Sequence, residues 1–92
     1  MYSVDIAVSA QEEIAKFRKT GNPPGAVKKI QGFINEVKLT PQKGTGKPEQ
    51  LRGELSHLWS RRIDKKNRFV YFINEETKVV DVLSVEGHYD DK

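Results

Sequence analysis

A histidine near the C-terminus, in Gly87-His88-Tyr89, is the side chain best suited to give or take a proton near neutral pH. It follows an apolar, strand-like run and a glycine, a position that substrate can reach; an ordinary surface histidine also fits there. Three arginines, Arg61, Arg62 and Arg68, flank the segment Asp64-Lys65-Lys66-Asn67. Arginine presents a planar fork of donors that matches phosphate oxygens, although exposed arginines also guard strand edges. Glu49 stands between Lys47 and Arg52 in a glycine- and lysine-rich stretch, where a carboxylate is either a candidate base or simply solvated. His57 has no neighbour that suggests a role and reads as surface or structural.

Other chemistries are excluded by what is absent. The 92 residues contain no cysteine, which removes disulfides, thiolate nucleophiles and Cys-ligated zinc. Histidines and carboxylates do not recur at metal-ligand spacing, so no metal is expected. Gly44-Thr45-Gly46-Lys47-Pro48 lacks the spacing and the hydroxyl residue of a nucleotide-binding phosphate loop, and no cofactor is implied. The N-terminus has no basic region followed by an apolar run, and no apolar stretch approaches the roughly 20 residues that span a bilayer. A cytoplasmic protein without membrane contact is the expectation.

Charge is unevenly distributed. The net charge is +3, but the segment Lys43 to Arg68 holds eight basic and three acidic residues, and the remainder of the chain is net negative. Such concentration is the footprint of a polyanion partner, or else a solvated basic face. Lys47, Lys65, Lys66 and Arg61 are the candidates for holding phosphates.

The elements that must position these residues are legible from periodicity. Tyr2, Val4, Ile6 and Val8 alternate with small or polar residues and predict a strand. Ser9 to Glu12 reads as a capping box opening a first helix with Ile14 and Phe17 inward. Gly21-Asn22-Pro23-Pro24 makes a turn, and Val27, Ile30, Ile34 and Val37 predict a second helix from about Gly25 to Lys38. Residues 42–48 read as a flexible basic loop containing Lys47, with Glu49 in the same loop region. From Leu51 onward the pattern is strand: 58–63, 68–73 and 79–85, joined by turns at 64–67 and 74–77. The predicted fold is α+β, one domain over residues 1–92, with a helical hairpin packed on a small, mostly antiparallel sheet. Arg61 and Arg62 must lie on opposite sheet faces, and the turn length decides which of them shares a face with Arg68. Trp59, Phe69 and Tyr71 read as core rather than as a platform for stacking bases.

In order and spacing, several blocks resemble the Txe/YoeB family of RelE-like bacterial toxins. They are Gly46-Lys47-Pro48-Glu49-Gln50-Leu51, Leu55-Ser56, Leu58-Trp59-Ser60-Arg61-Arg62-Ile63, Asn67-Arg68-Phe69-Val70-Tyr71 and His88-Tyr89. The resemblance implies a RelE-like fold and a toxin of a type II toxin–antitoxin system that cleaves mRNA in the ribosomal A site without a metal. It implies a YefM-like antitoxin as partner, with ribosome and mRNA as targets; a homodimer is also plausible. Carried over by position, Glu49 matches the family's proposed general base and His88 its general acid. Arg68 and Arg62 match the phosphate-binding arginines, and Tyr89 the active-site tyrosine. The set is chemically coherent, because RNA carries its own nucleophile in the 2′-OH. A base removes that proton, an acid protonates the departing 5′ oxygen, and arginines meet the charge gathered by the phosphorane.

The sequence departs from the family in its tail, Asp90-Asp91-Lys92, where family chains stop at or near the tyrosine. Its carboxylates would favour a charged His88 where they lie close to it, and would also repel RNA. Two other readings remain beside the nuclease: a non-catalytic toxin on the same fold, such as a gyrase poison, and a ribosome- or RNA-binding module that uses only the basic segment.

Overall fold

Alternation in the first residues forms a short strand, β1 (Ser3–Ile6), and the chain turns directly into helix α1 (Val8–Thr20). The expected Ser9 cap does not form. The helix begins at Val8 with Ala7 in the capping position, which puts Ser9 inside the first turn. Its hydroxyl instead donates to the Leu83 carbonyl at 3.1 Å, fastening α1 to the sheet. Gly21 ends the helix in the left-handed conformation, its N–H donating to the Phe17 carbonyl. Helix α2 (Ala26–Val37) follows and buries Ala26, Ile30, Phe33 and Val37, one stripe at helical spacing.

The computed structural model describes residues 1–87. Beyond α2 the chain forms a two-residue strand β2 (Glu49–Gln50), a 3₁₀ turn at Gly53–Leu55, and strands β3 (Leu58–Arg62), β4 (Arg68–Asn74) and β5 (Val79–Ser84). Glu49 is thus part of an edge strand rather than the loop, and residues 51–57 are not strand. The five-stranded sheet has the order β1-β5-β4-β3-β2. Only the β1–β5 pair is parallel; the other pairs are antiparallel. This is the expected helical hairpin on a mostly antiparallel sheet.

Both helices cover one face of the sheet. Phe69, Tyr71, Val80 and Val82 point toward them and join Phe17, Ile30, Phe33 and Val37 in the main core. Phe69 and Tyr71 are fully buried, in agreement with their core reading, and Trp59 is half-buried at the margin of the same cluster. The opposite, outer face carries no α-helix among the described residues. It has a second, smaller cluster of Leu51, Leu58 and Val70, flanked by Leu55, Phe72 and Leu83. Two faces of unequal polarity are what sheet alternation produces when one side is covered. No helix among the described residues is long and apolar enough to cross a membrane.

Phe69 is the packing centre of the inner face, its ring 5.4 Å from both the Phe33 and the Tyr71 rings. Phe69→Ala is expected to cost about 3–5 kcal/mol. Val8→Ser, at a position 68% exposed, is expected to stay within about 0.5 kcal/mol of wild type. Urea unfolding followed by Trp59 fluorescence checks both; equal losses would mean that the core is not where the packing places it.

Candidate active site

The β3–β4 hairpin decides which arginines meet. Its turn is closed by the Asp64 carboxylate, which accepts from the backbone N–H groups of Lys66 and Asn67, each at 2.8 Å. Asparagine and aspartate make such turns because their short side chains reach the backbone. The resulting register sets Arg62 directly opposite Arg68. Residues opposite each other in an antiparallel pair share a face, so Arg62, and not Arg61, is the partner of Arg68. Two like charges in this position repel each other, and an anion between them would relieve that.

Arg62 and Arg68 line a cleft of about 540 Å³ together with Lys47, Lys65 and Lys29, above a floor that includes Gly46, Ile63 and Asp64. The Arg68 guanidinium is aimed by the turn itself, with one nitrogen donating to the carbonyls of Asp64 (2.6 Å) and Asn67 (3.2 Å). Lys29 reaches in from α2, its ammonium donating to the Ile63 carbonyl at 2.8 Å. Sequence reasoning missed Lys29; the one available cue was the Lys28-Lys29 pair on the polar side of the second helix.

Glu49 does not line this cleft. It pairs with Ser60 in the β2–β3 register, which places it on the outer face with Arg62, two residues farther along β3. That separation corresponds to roughly 7 Å along the strand. Lys66 is exposed on the turn and also does not line the cleft. Lys47 stands at the rim in a left-handed conformation, φ +51°, which is uncommon for a residue with a side chain. Its neighbour Gly46 accepts from the Arg62 N–H at 2.7 Å and has φ +81°. A Cβ on Gly46 would sit 2.7 Å from the Phe33 ring, so only glycine lets the loop lie this close.

The expectation that Arg61 holds phosphate is overturned. Alternation turns it to the inner face, where it is fully buried. Its guanidinium pairs with Glu36 and donates to Tyr71 Oη at 3.1 Å and to the carbonyls of Thr40, Lys43 and Thr45 at 2.9–3.2 Å. No phosphate can reach it.

The two other terminal candidates, His88 and Tyr89, lie outside the described residues. The chain immediately before them is anchored at the cleft. Gly87 N–H donates to Asn67 Oδ1 at 2.7 Å, and the Gly87 carbonyl accepts from Arg68 N–H at 2.8 Å. His57 is exposed, with its ring edge-on to Phe72. Among the described residues no three His, Cys, Asp or Glu side chains gather to hold a metal.

The chain has known relatives. A family model described as "YoeB-like toxin of bacterial type II toxin-antitoxin system" matches residues 10–89. The chain belongs to the YoeB-like toxin family. It is 39% identical to "Toxin YoeB" of Mycobacterium bovis over 93 residues, covering 97% of this chain and 100% of that one. Among solved structures it is similar to the "YoeB/ParE toxin from Agrobacterium tumefaciens", with a TM-score of 0.84 and 31% identity over 95% of this chain and 99% of that one. It is also similar to a chain of the "YoeB-YefM complex from Staphylococcus aureus", with a TM-score of 0.78 and 28% identity over 97% of this chain and 99% of that one. The stretch matching the YoeB-like family includes the outer-face residues Glu49, Arg62 and Arg68.

Two carboxylates under this site have shifted ionisation. Burial raises the Glu36 carboxyl, but hydrogen bonds from the Thr45 hydroxyl and N–H and the charge of Arg61 outweigh it and hold it below its ordinary value. Burial likewise opposes, and the Lys66 and Asn67 donors with Arg68 overcome, the effect on Asp64, which is also lowered. A carboxyl lowered in the folded state contributes stability in full above its unfolded pKa and loses it as pH falls toward the folded one. Unfolding free energy is therefore expected to be flat above about pH 5 and to fall below about pH 4.5. In Glu36→Gln that acid-side slope becomes shallower. Urea titrations from pH 3 to 7 check this, and an unchanged slope in the variant would remove Glu36 from the account.

Proposed function

We propose that this toxin is an mRNA endoribonuclease that acts on ribosome-bound message in the cytoplasm, without a metal. The observation that carries the reading is the directly opposed pair Arg62–Arg68 in a basic cleft at the β3–β4 hairpin, which Lys29 of α2 also lines. Glu49 on the same sheet face as Arg62 supports it, as does the tether of Gly87, which precedes His88, to Asn67 and Arg68.

In this mechanism Glu49 takes the 2′ proton, and the 2′ oxygen attacks the adjacent phosphorus. The bond between phosphorus and the 5′ oxygen breaks, and His88 protonates that oxygen. The products are a 2′,3′-cyclic phosphate and a free 5′-OH. DNA lacks the 2′-OH and is not cut. Arg68 and Arg62 donate to the phosphorane oxygens, where charge is greater than in the ground state, so their effect falls on the barrier. Tyr89 is the remaining candidate of the set, carried by the sequence blocks alone. Lys47 and Lys65 hold flanking phosphates, a salt-sensitive contribution, and Lys66 adds to the same field from the turn. The partner is a YefM-like antitoxin, a reading supported by the similarity to a YoeB chain in complex with YefM.

Primer extension on a reporter mRNA in a reconstituted translation reaction tests the proposal. Discrete cuts within translated codons are expected only when ribosomes are present, and a transition-metal chelator should not abolish them. Arg68→Ala is expected to lower kcat by about 10²–10³. His88→Gln should abolish cleavage, whereas Lys65→Ala should weaken binding and reduce its salt dependence by about one unit. Intact message with wild-type protein would sink the nuclease reading and favour a binding-only or gyrase-directed toxin.

A further inference from the structure

We propose that Arg61 is a positioning residue, which from inside the protein holds the loop 40–47 and thereby sets the wall of the cleft formed by Gly46 and Lys47. The loop has little regular structure of its own, and its Gly, Lys, Thr and Pro content would otherwise leave it open to local fluctuation. One guanidinium gathers it. Nη2 donates to the Thr40 carbonyl at 3.0 Å and the Lys43 carbonyl at 2.9 Å, and Nη1 donates to the Thr45 carbonyl at 3.2 Å. Tyr71 holds the same loop from β4, its hydroxyl donating to the Pro41 carbonyl at 2.6 Å.

Glu36 completes the latch from α2. Its carboxylate pairs with Arg61 and accepts from the Thr45 N–H at 2.9 Å and the Thr45 hydroxyl at 2.8 Å. Gly44 allows this contact, since a Cβ there would sit 2.2 Å from Glu36 Oε1. The held loop then delivers two things to the cleft: the Gly46 carbonyl that receives the Arg62 N–H, and Lys47 in its left-handed conformation. Arg61 and Arg62 are consecutive on β3 and face opposite sides of the sheet. The buried side chain therefore fixes the loop from the interior, while the backbone N–H of its exposed neighbour holds the same loop along the edge of β3.

The effect on cleavage rests on the nuclease reading; the effect on loop order does not. Glu36→Gln and Thr45→Val weaken the latch without emptying the core, and Thr45→Ser keeps its hydroxyl. Amide hydrogen exchange by NMR reads the latch directly. In Glu36→Gln and Thr45→Val the Arg62 amide should exchange at least about tenfold faster than in wild type, and by a clearly larger factor than the β4 and β5 amides, with Thr45→Ser close to wild type. RNA cleavage should fall in the same order, mainly in kcat. Unchanged Arg62 exchange would overturn the proposal. Equal acceleration throughout the sheet would also overturn it, because the residues would then be serving general stability alone. If wild type cuts no RNA, the nuclease reading fails, while the exchange data still decide the role of Arg61.

Discussion

A charged group removed from water must be met by other charges and dipoles or the fold does not tolerate it. In this protein that group is the Arg61 guanidinium, fully buried in a domain of 92 residues. Desolvating an ion costs several kcal/mol after relaxation, and loss of one partner leaves that cost uncovered. The compensation comes from Glu36 on α2, Tyr71 on β4 and carbonyls of the following loop. No buried side-chain nitrogen or oxygen among the described residues is left without a partner. The second helix, the basic loop and the two central strands are thus bound to a common point, and their relative placement follows from it. Arginine suits this position because its five donors diverge in a plane and it stays charged.

The site is the reverse side of that arrangement. The sheet is one layer thick, so successive residues of β3 serve different surroundings: Arg61 the interior, Arg62 the solvent. On the outer face like charges are set against one another, Arg62 opposite Arg68 with lysines around them. An arrangement that is electrostatically unfavourable when empty becomes favourable when an anion enters. Because the Asp64 turn and the loop hold the cations in place beforehand, little reorganisation is needed at that moment.

Where the sequence misled, tertiary contacts had taken over a residue with a strong local preference. Ser9 has the pattern of a helix cap, but β1 runs straight into α1 and the hydroxyl is used by Leu83 across the domain. Glu49 reads as loop, because a strand of two residues is too short to show periodicity; only its pairing with Trp59 and Ser60 makes it a strand. Arg61 reads as a surface cation in a basic run, since composition does not reveal that carbonyls 16 to 21 residues earlier will surround it. Lys29 lies outside the basic segment altogether and reaches the cleft only because α2 packs across the sheet.

The sequence by itself determined the kinds of element and their order. Hydrophobic spacing sets a helix or strand locally, and the turn residues at 21–24, 64–67 and 74–77 mark where each must end. It also carried the family's blocks from Gly46 to Tyr89, and with them the identities of the candidate acid, base and anion ligands. Only the tertiary structure decided which of two adjacent arginines meets the solvent. Alternation requires them to part, but the choice depends on strand register. That register is settled by a four-residue turn and by which face the helices cover, contacts between residues that the chain brings together only when it folds.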